Sequence, residues 1–114
     1  MPRPKNIHQA KTAEEVEAIA KASPGPVVLD FVAKGCSGCR TDAPRVRELA
    51  AACASATVIK VDVDQASKLA DAWGVKYMPT LFVAENAAQL QPGKAAEYKN
   101  AEEAMAALRC PRKG

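Results

Sequence analysis

Val27-Val28-Leu29-Asp30-Phe31-Val32, running on into Ala33-Lys34-Gly35-Cys36-Ser37-Gly38-Cys39-Arg40, decides the fold of this 114-residue chain. The first six residues are almost unbroken apolar and rich in β-branched side chains. That is the pattern of a strand buried on both faces, as at the centre of a parallel sheet. Two cysteines at C-x-x-C spacing follow at once. A helix is expected from about Cys39 to Ala54, with Val46, Leu49 and Cys53 on its inner side and Pro44 kinking it.

Outward from this centre, strands and helices alternate. Upstream, Asn6-Ile7-His8 reads as a short strand. Thr12 and Glu15 form a capping box, and Val16, Ile19 and Ala20 share one helical face behind it. Ser23-Pro24-Gly25-Pro26 stops that helix. Downstream, Thr57 to Val63 is a strand and Gln65 to Trp73 a short helix with Gly74 past its end. Thr80 to Ala84 is a strand, Pro92-Gly93 a turn, and Ala95 to Lys99 an edge strand. A last helix opens at Asn100, with Glu102 and Glu103 in its first turn, where negative charge suits the helix dipole. Ala104, Met105 and Leu108 can pack inward, and 110–114 is a short polar tail. The order β-α-β-α-β-α-β-β-α predicts one α/β domain over 1–114, a mostly parallel sheet with right-handed crossovers and an antiparallel edge hairpin.

Composition narrows the function. Sixteen Lys and Arg against thirteen Asp and Glu give a net charge of +3, spread along the chain. Neither a nucleic-acid footprint nor an anionic-membrane patch emerges, and the few aromatics do not suit base stacking. No apolar run reaches the ~18 residues of a membrane span. No apolar stretch follows the basic start, so no secretory signal is expected. A secreted disulfide scaffold of this size would carry more cysteines than Cys36, Cys39, Cys53 and Cys110, more evenly spread. A reducing, cytoplasmic compartment is the expectation.

The cysteine pair sits between a buried strand and a helix. At a helix's first turn, two intervening residues let the sulfurs meet with little backbone movement. The free N–H groups of that turn favour the thiolate, the reactive form. Lys34 and Arg40 add to this and Asp42 opposes it weakly. The second sulfur should lie deeper. The competing reading is half of a zinc site, but zinc needs four ligands, and the other candidates, Cys53, Cys110 and His8, stand singly. The strand–helix setting favours redox chemistry. Asp30 is the second informative residue. A carboxyl in Val-Val-Leu-Asp-Phe-Val is either solvated at a sheet edge or buried with a raised pKa, able to accept and return a proton; the nearby cysteines favour the second reading. Lys60, in Val-Ile-Lys-Val, either snorkels to solvent or pairs with Asp30 and tunes it. Pro79 opens a strand, and spacing alone does not make its bond cis. Cys53 reads as a small core residue and Cys110 as an exposed free thiol near the terminus. Trp73 belongs to the core or to the rim of a groove near Tyr77, Met78 and Pro79.

Together these residues resemble the thioredoxin family from about Ile7 to Asn86. The carriers are Val28-Leu29-Asp30-Phe31-Val32-Ala33, the Cys36/Cys39 pair, Pro44 five residues after Cys39, Lys60 with Asp62 and Asp64, and Gly74-Val75 ahead of Met78-Pro79-Thr80. The resemblance implies a thioredoxin fold, a central mixed sheet flanked by helices. It implies a protein-disulfide reductase with Cys36 as attacking thiol, Cys39 as resolving thiol and Asp30 as the buried carboxyl that helps deprotonate Cys39. Pro79 becomes an expected cis-proline, and Met78, Pro79, Ser37 and Gly38 the expected substrate contacts. No bound cofactor or metal is expected; the Cys36–Cys39 disulfide carries the electrons. Disulfide-containing proteins and an NADPH-dependent thioredoxin reductase are the implied partners of a monomer. The alternatives are a non-enzymatic redox-sensing or interaction module on the same scaffold, and a small zinc-binding domain. The chain departs from the family at its centre, which reads Gly35-Cys36-Ser37-Gly38-Cys39. The tryptophan before the first cysteine is absent, Val32 replaces another, and Gly38 replaces proline. A looser turn implies a couple less reducing than a typical thioredoxin's, which equilibration against glutathione measures.

Overall fold

The structure, a computed structural model, describes residues 4–110. Five strands, β1 (Ile7–Gln9), β2 (Val27–Val32), β3 (Thr57–Asp62), β4 (Thr80–Ala84) and β5 (Ala96–Tyr98), form one sheet in the order β1-β3-β2-β4-β5. Among the described residues four α-helices, α1 (Ala13–Lys21), α2 (Ser37–Ala52), α3 (Ser67–Ala72) and α4 (Ala101–Leu108), and a 3-10 turn (Ala87–Gln89) connect and cover it. The expected element order holds. β2 is the central strand, buried along its length until Val32 at its end. Thr12 caps α1 as expected, the Glu15 N–H donating to Thr12 Oγ1 at 3.1 Å, while the Glu15 carboxylate reaches one residue beyond the capping-box position and accepts from the Lys11 N–H at 3.1 Å.

The sheet is mixed, as the resemblance implies, and the antiparallel edge hairpin of β4 and β5 forms, but the mostly parallel sheet read from the element order is corrected: β1 and β2 each pair parallel with β3, while β4 runs antiparallel to β2. The connection over 63–79 carries α3 and turns on either side of it, and it delivers the chain at the end of the sheet where β3 stops, not back at the start of β3. The chain enters β4 at Thr80, opposite Phe31 near the end of β2, and runs back.

Period-2 alternation along the strands sorts the core into two layers. Leu29, Phe31, Ile59, Val61 and Phe82 face α1 and α3. There Trp73 stacks with its ring centroid 4.6 Å from Phe82 and 6.3 Å from Phe31, so it is a core residue on the face away from α2. Val28, Val58 and Leu81 face α2 and α4 and meet Val46, Leu49, Ala50, Ala101 and Ala104. Asp30 and Lys60 share the parity of Val28 and Val58, which puts both on the α2 side, in register with each other across β2 and β3.

Two structural facts revise the reading of the lone cysteines. Cys53, buried at the C-cap of α2, is bonded to Cys110. Cys110 is thus neither a free thiol nor part of a solvated tail; it is half-buried against the α2/α4 layer of the core. The αL conformation of Arg109 (φ 54°) turns the chain off α4 toward that contact.

Candidate active site

Gly35 has φ +75°, in the left-handed region that favours glycine. That conformation turns the chain from the end of β2 into the N-terminus of α2, and a side chain on this backbone would be strained. Cys36 is the N-cap of α2, and its Sγ accepts the Cys39 N–H at 3.0 Å. The sulfur therefore occupies the position where a helix start supplies unsatisfied donors and positive potential.

Cys36 and Cys39 are disulfide-bonded, with Cα atoms 5.2 Å apart. Cys36 is half-buried and Cys39 buried, so the second sulfur is the deeper one. The Met78–Pro79 peptide bond is cis, and the Met78 carbonyl oxygen lies 3.5 Å from Cys36 Sγ. Gly38 faces the same proline: a Cβ there would stand 3.3 Å from Pro79 Cδ. Ser37 and Gly38 are exposed, and with Pro79, Lys99 and Asn100 they line a shallow groove of about 460 Å³ beside the pair. Tyr77 is the large apolar side chain left exposed nearby, its hydroxyl donating to Glu97 at 3.2 Å.

Behind the cysteines lies a buried carboxyl. Asp30 is 1% exposed, and neither carboxyl oxygen has a hydrogen-bond partner among the described residues. Burial raises its pKa to about 7; the Lys60 ammonium opposes that rise and the Asp42 carboxyl adds to it. Lys60 is half-buried on the adjacent strand. The sheet-edge alternative for Asp30 is thus excluded.

Asp42 was missed in the sequence as more than a weak negative charge. It is buried on the inner side of α2, and both of its oxygens accept the Ala101 N–H at 3.1 Å, an anion at the start of α4. The signal was present: Cys39, Asp42, Val46, Leu49 and Cys53 fall on one helical stripe. Nothing in the local sequence named its partner, 59 residues away. As for zinc, no group of three or more His, Cys, Asp or Glu among the described residues is placed to hold a metal ion.

What the fold presents at the end of its central strand is a dithiol–disulfide centre. The family model described as Thioredoxin matches residues 6–109. Thioredoxin-1 of Schizosaccharomyces pombe is 40% identical over 65 residues, 57% of this chain and 63% of that one, so the chain spans under two thirds of that relative's length. Thioredoxin of Rhodospirillum rubrum is 37% identical over 78 residues, 68% of this chain and 74% of that one. The solved structure of Trichomonas vaginalis thioredoxin superposes with a TM-score of 0.71 at 30% identity, covering 90% of this chain and 92% of that one. The chain belongs to the thioredoxin family.

Proposed function

We propose that the protein is a thiol–disulfide oxidoreductase that reduces protein disulfides through the Cys36/Cys39 couple. The Cys36 thiolate attacks one sulfur of a substrate disulfide; a mixed disulfide forms and one substrate thiolate leaves. Cys39 then gives its proton to Asp30 and attacks Cys36 Sγ, releasing the second substrate thiol and leaving the Cys36–Cys39 disulfide. Two electrons pass from the dithiol to the substrate. An external dithiol, supplied by an NADPH-dependent reductase, restores the reduced form. The cysteines themselves carry the electrons, so no bound cofactor or metal takes part. The protein works as a monomer in a reducing compartment such as the cytoplasm, where such a donor is present.

One observation carries this reading. The outer sulfur accepts a helix-start N–H, while the inner one lies on the helix that covers a buried carboxyl with a pKa of about 7. A group with that pKa takes up and returns a proton near neutrality. Lys60 sets where it does so. Met78, Pro79, Ser37 and Gly38 form the rim on which an extended substrate segment lies, with the Met78 backbone available to pair with it.

The test is trapping. A Cys39→Ser variant should accumulate covalent adducts with disulfide-containing proteins, and a Cys36→Ser variant should not. Turnover of insulin disulfides by dithiothreitol should exceed the uncatalysed rate only with both cysteines present. No excess rate in the unsubstituted protein favours a non-enzymatic module instead.

A further inference from the structure

The second cysteine pair lies at the other end of α2 and takes no part in the chemistry above. Cys53 is the C-cap of that sixteen-residue helix and is 5% exposed. Its backbone is fixed from two sides. The Cys53 N–H donates to the Leu49 carbonyl at 2.9 Å, and the Asn6 side-chain amide donates to the carbonyls of Ala50, Cys53 and Ala56 at 2.9, 3.2 and 2.8 Å. Cys110 comes to it from α4, past the αL residue Arg109, with Cα atoms 5.2 Å apart, inside the ~4.4–6.8 Å window a disulfide requires. Met105 and Leu108 pack on the same layer and hold α4 in that place.

We propose that Cys53 and Cys110 form a second dithiol–disulfide couple, a redox-responsive latch that fastens the end of α4 to the end of α2. The start of α4 is already held by Asp42, and Arg45 pairs with Glu102 beside it. Lys99, Asn100 and Glu102 in turn line the groove next to Gly38 and Pro79. Oxidation therefore fixes α4 at both ends and with it one wall of the groove. Reduction leaves α4 held by packing and by Asp42.

The order of events follows from exposure. Cys110, half-buried, is the thiol a small oxidant reaches; Cys53 is enclosed. With glutathione disulfide as oxidant, the Cys110 thiolate attacks one of its sulfurs and releases one glutathione thiol. The Cys53 thiol then attacks Cys110 Sγ and releases the second. One bond has formed and one broken. Two electrons have gone to glutathione, and the two cysteine protons end on the two glutathione thiols. The closed loop spans 57 positions, long enough for the cross-link to restrict the unfolded chain strongly.

The experiment uses the full chain with Cys36→Ser and Cys39→Ser. After treatment with glutathione disulfide and a maleimide quench, the protein should be two hydrogens lighter than its reduced form and take up no maleimide. Trypsin should give peptide 48–60 linked to peptide 110–112, separable by dithiothreitol. The oxidised form should melt on the order of 10 °C above the reduced one, and Cys110→Ser should abolish that difference. Mapping of the unsubstituted protein gives the same answer should the double variant fold poorly, because peptide 35–40 carries the other pair separately. Two maleimides, a glutathione adduct stalled on Cys110, or equal melting of the two forms overturns the proposal. None of these outcomes bears on Cys36 and Cys39.

Discussion

Two aspartates are buried on the same side of this sheet, and they are treated in opposite ways. Asp42 gives both carboxyl oxygens to the Ala101 N–H at the start of α4. Asp30 has no donor among the described residues. Burial raises both pKa values, but for Asp42 the Ala101 hydrogen bond and the charges of Arg45 and Lys60 pull the other way, whereas Asp30 has only the Lys60 charge against burial, and Asp42 adds to the rise. A buried carboxyl with donors is a structural part. One without them keeps its proton to about pH 7 at a cost in stability, and it lies on the face that α2 covers, the helix that carries the cysteine pair.

The largest expected effect comes from removing that cost. The folded-state pKa of Asp30 is about 7 against an ordinary 3.8. A raised pKa means the folded protein binds the proton more tightly than the unfolded chain. Stability linked to Asp30 is therefore full below pH ~4 and lost as pH rises through 7, by roughly 4 kcal/mol in all. Asp30→Asn should be more stable than the unsubstituted protein at pH 8.5 by a few kcal/mol, and the gap should close toward pH 4.5 in urea denaturation. The same variant should lengthen the lifetime of the mixed disulfide on the order of 10²-fold at neutral pH. A stability gap that stays constant with pH removes the distinction between the two aspartates.

Asp42→Ala should act in the opposite sense and by less. It leaves the buried Ala101 N–H without an acceptor and takes an anion from the α4 N-terminus, a loss of roughly 1–3 kcal/mol. Since the Asp42 carboxyl helps hold the Asp30 pKa up, the pH profile of resolution should also shift to lower pH. Equilibrium denaturation and stopped-flow resolution read the two effects separately. A stability gain in Asp42→Ala would make the two carboxyls alike.

Much of this was legible in the sequence because it is local. The β-branched run of β2, the Thr12/Glu15 cap and the C-x-x-C at a strand–helix junction each declare themselves within a few residues. Asp30 declares itself too, since a lone carboxyl in an apolar strand has no ordinary reason to be there. What was not legible depends on partners far along the chain. Asp42 meets Ala101, and Cys53 meets Cys110, across 59 and 57 positions. Neither the α2 stripe nor the tail composition names its partner. The direction of β4 was hidden for another reason: strand–helix–strand order suggests a parallel crossover, and no residue of 63–79 declares at which end of the sheet the chain emerges. The αL turn at Arg109, without a glycine to announce it, concealed the route of Cys110.

The finest contrast rests on Lys60, which is in register with Asp30 and whose charge opposes the rise of both aspartate pKa values. At pH 5 Asp30 is protonated and has no charge for the ammonium to attract. Lys60→Met should then change stability little. At pH 8 the same substitution leaves an ionised Asp30 with no compensating charge, so it should destabilise there. The pH midpoint of mixed-disulfide resolution should rise, and Lys60→Arg should restore it, because a guanidinium keeps the charge. A purely packing role for the Lys60 stem predicts the same stability loss at both pH values and no movement of the midpoint. That outcome would leave Asp30 governed by burial and Asp42 alone, and the attraction across β2 and β3 would carry no weight in the proton transfer.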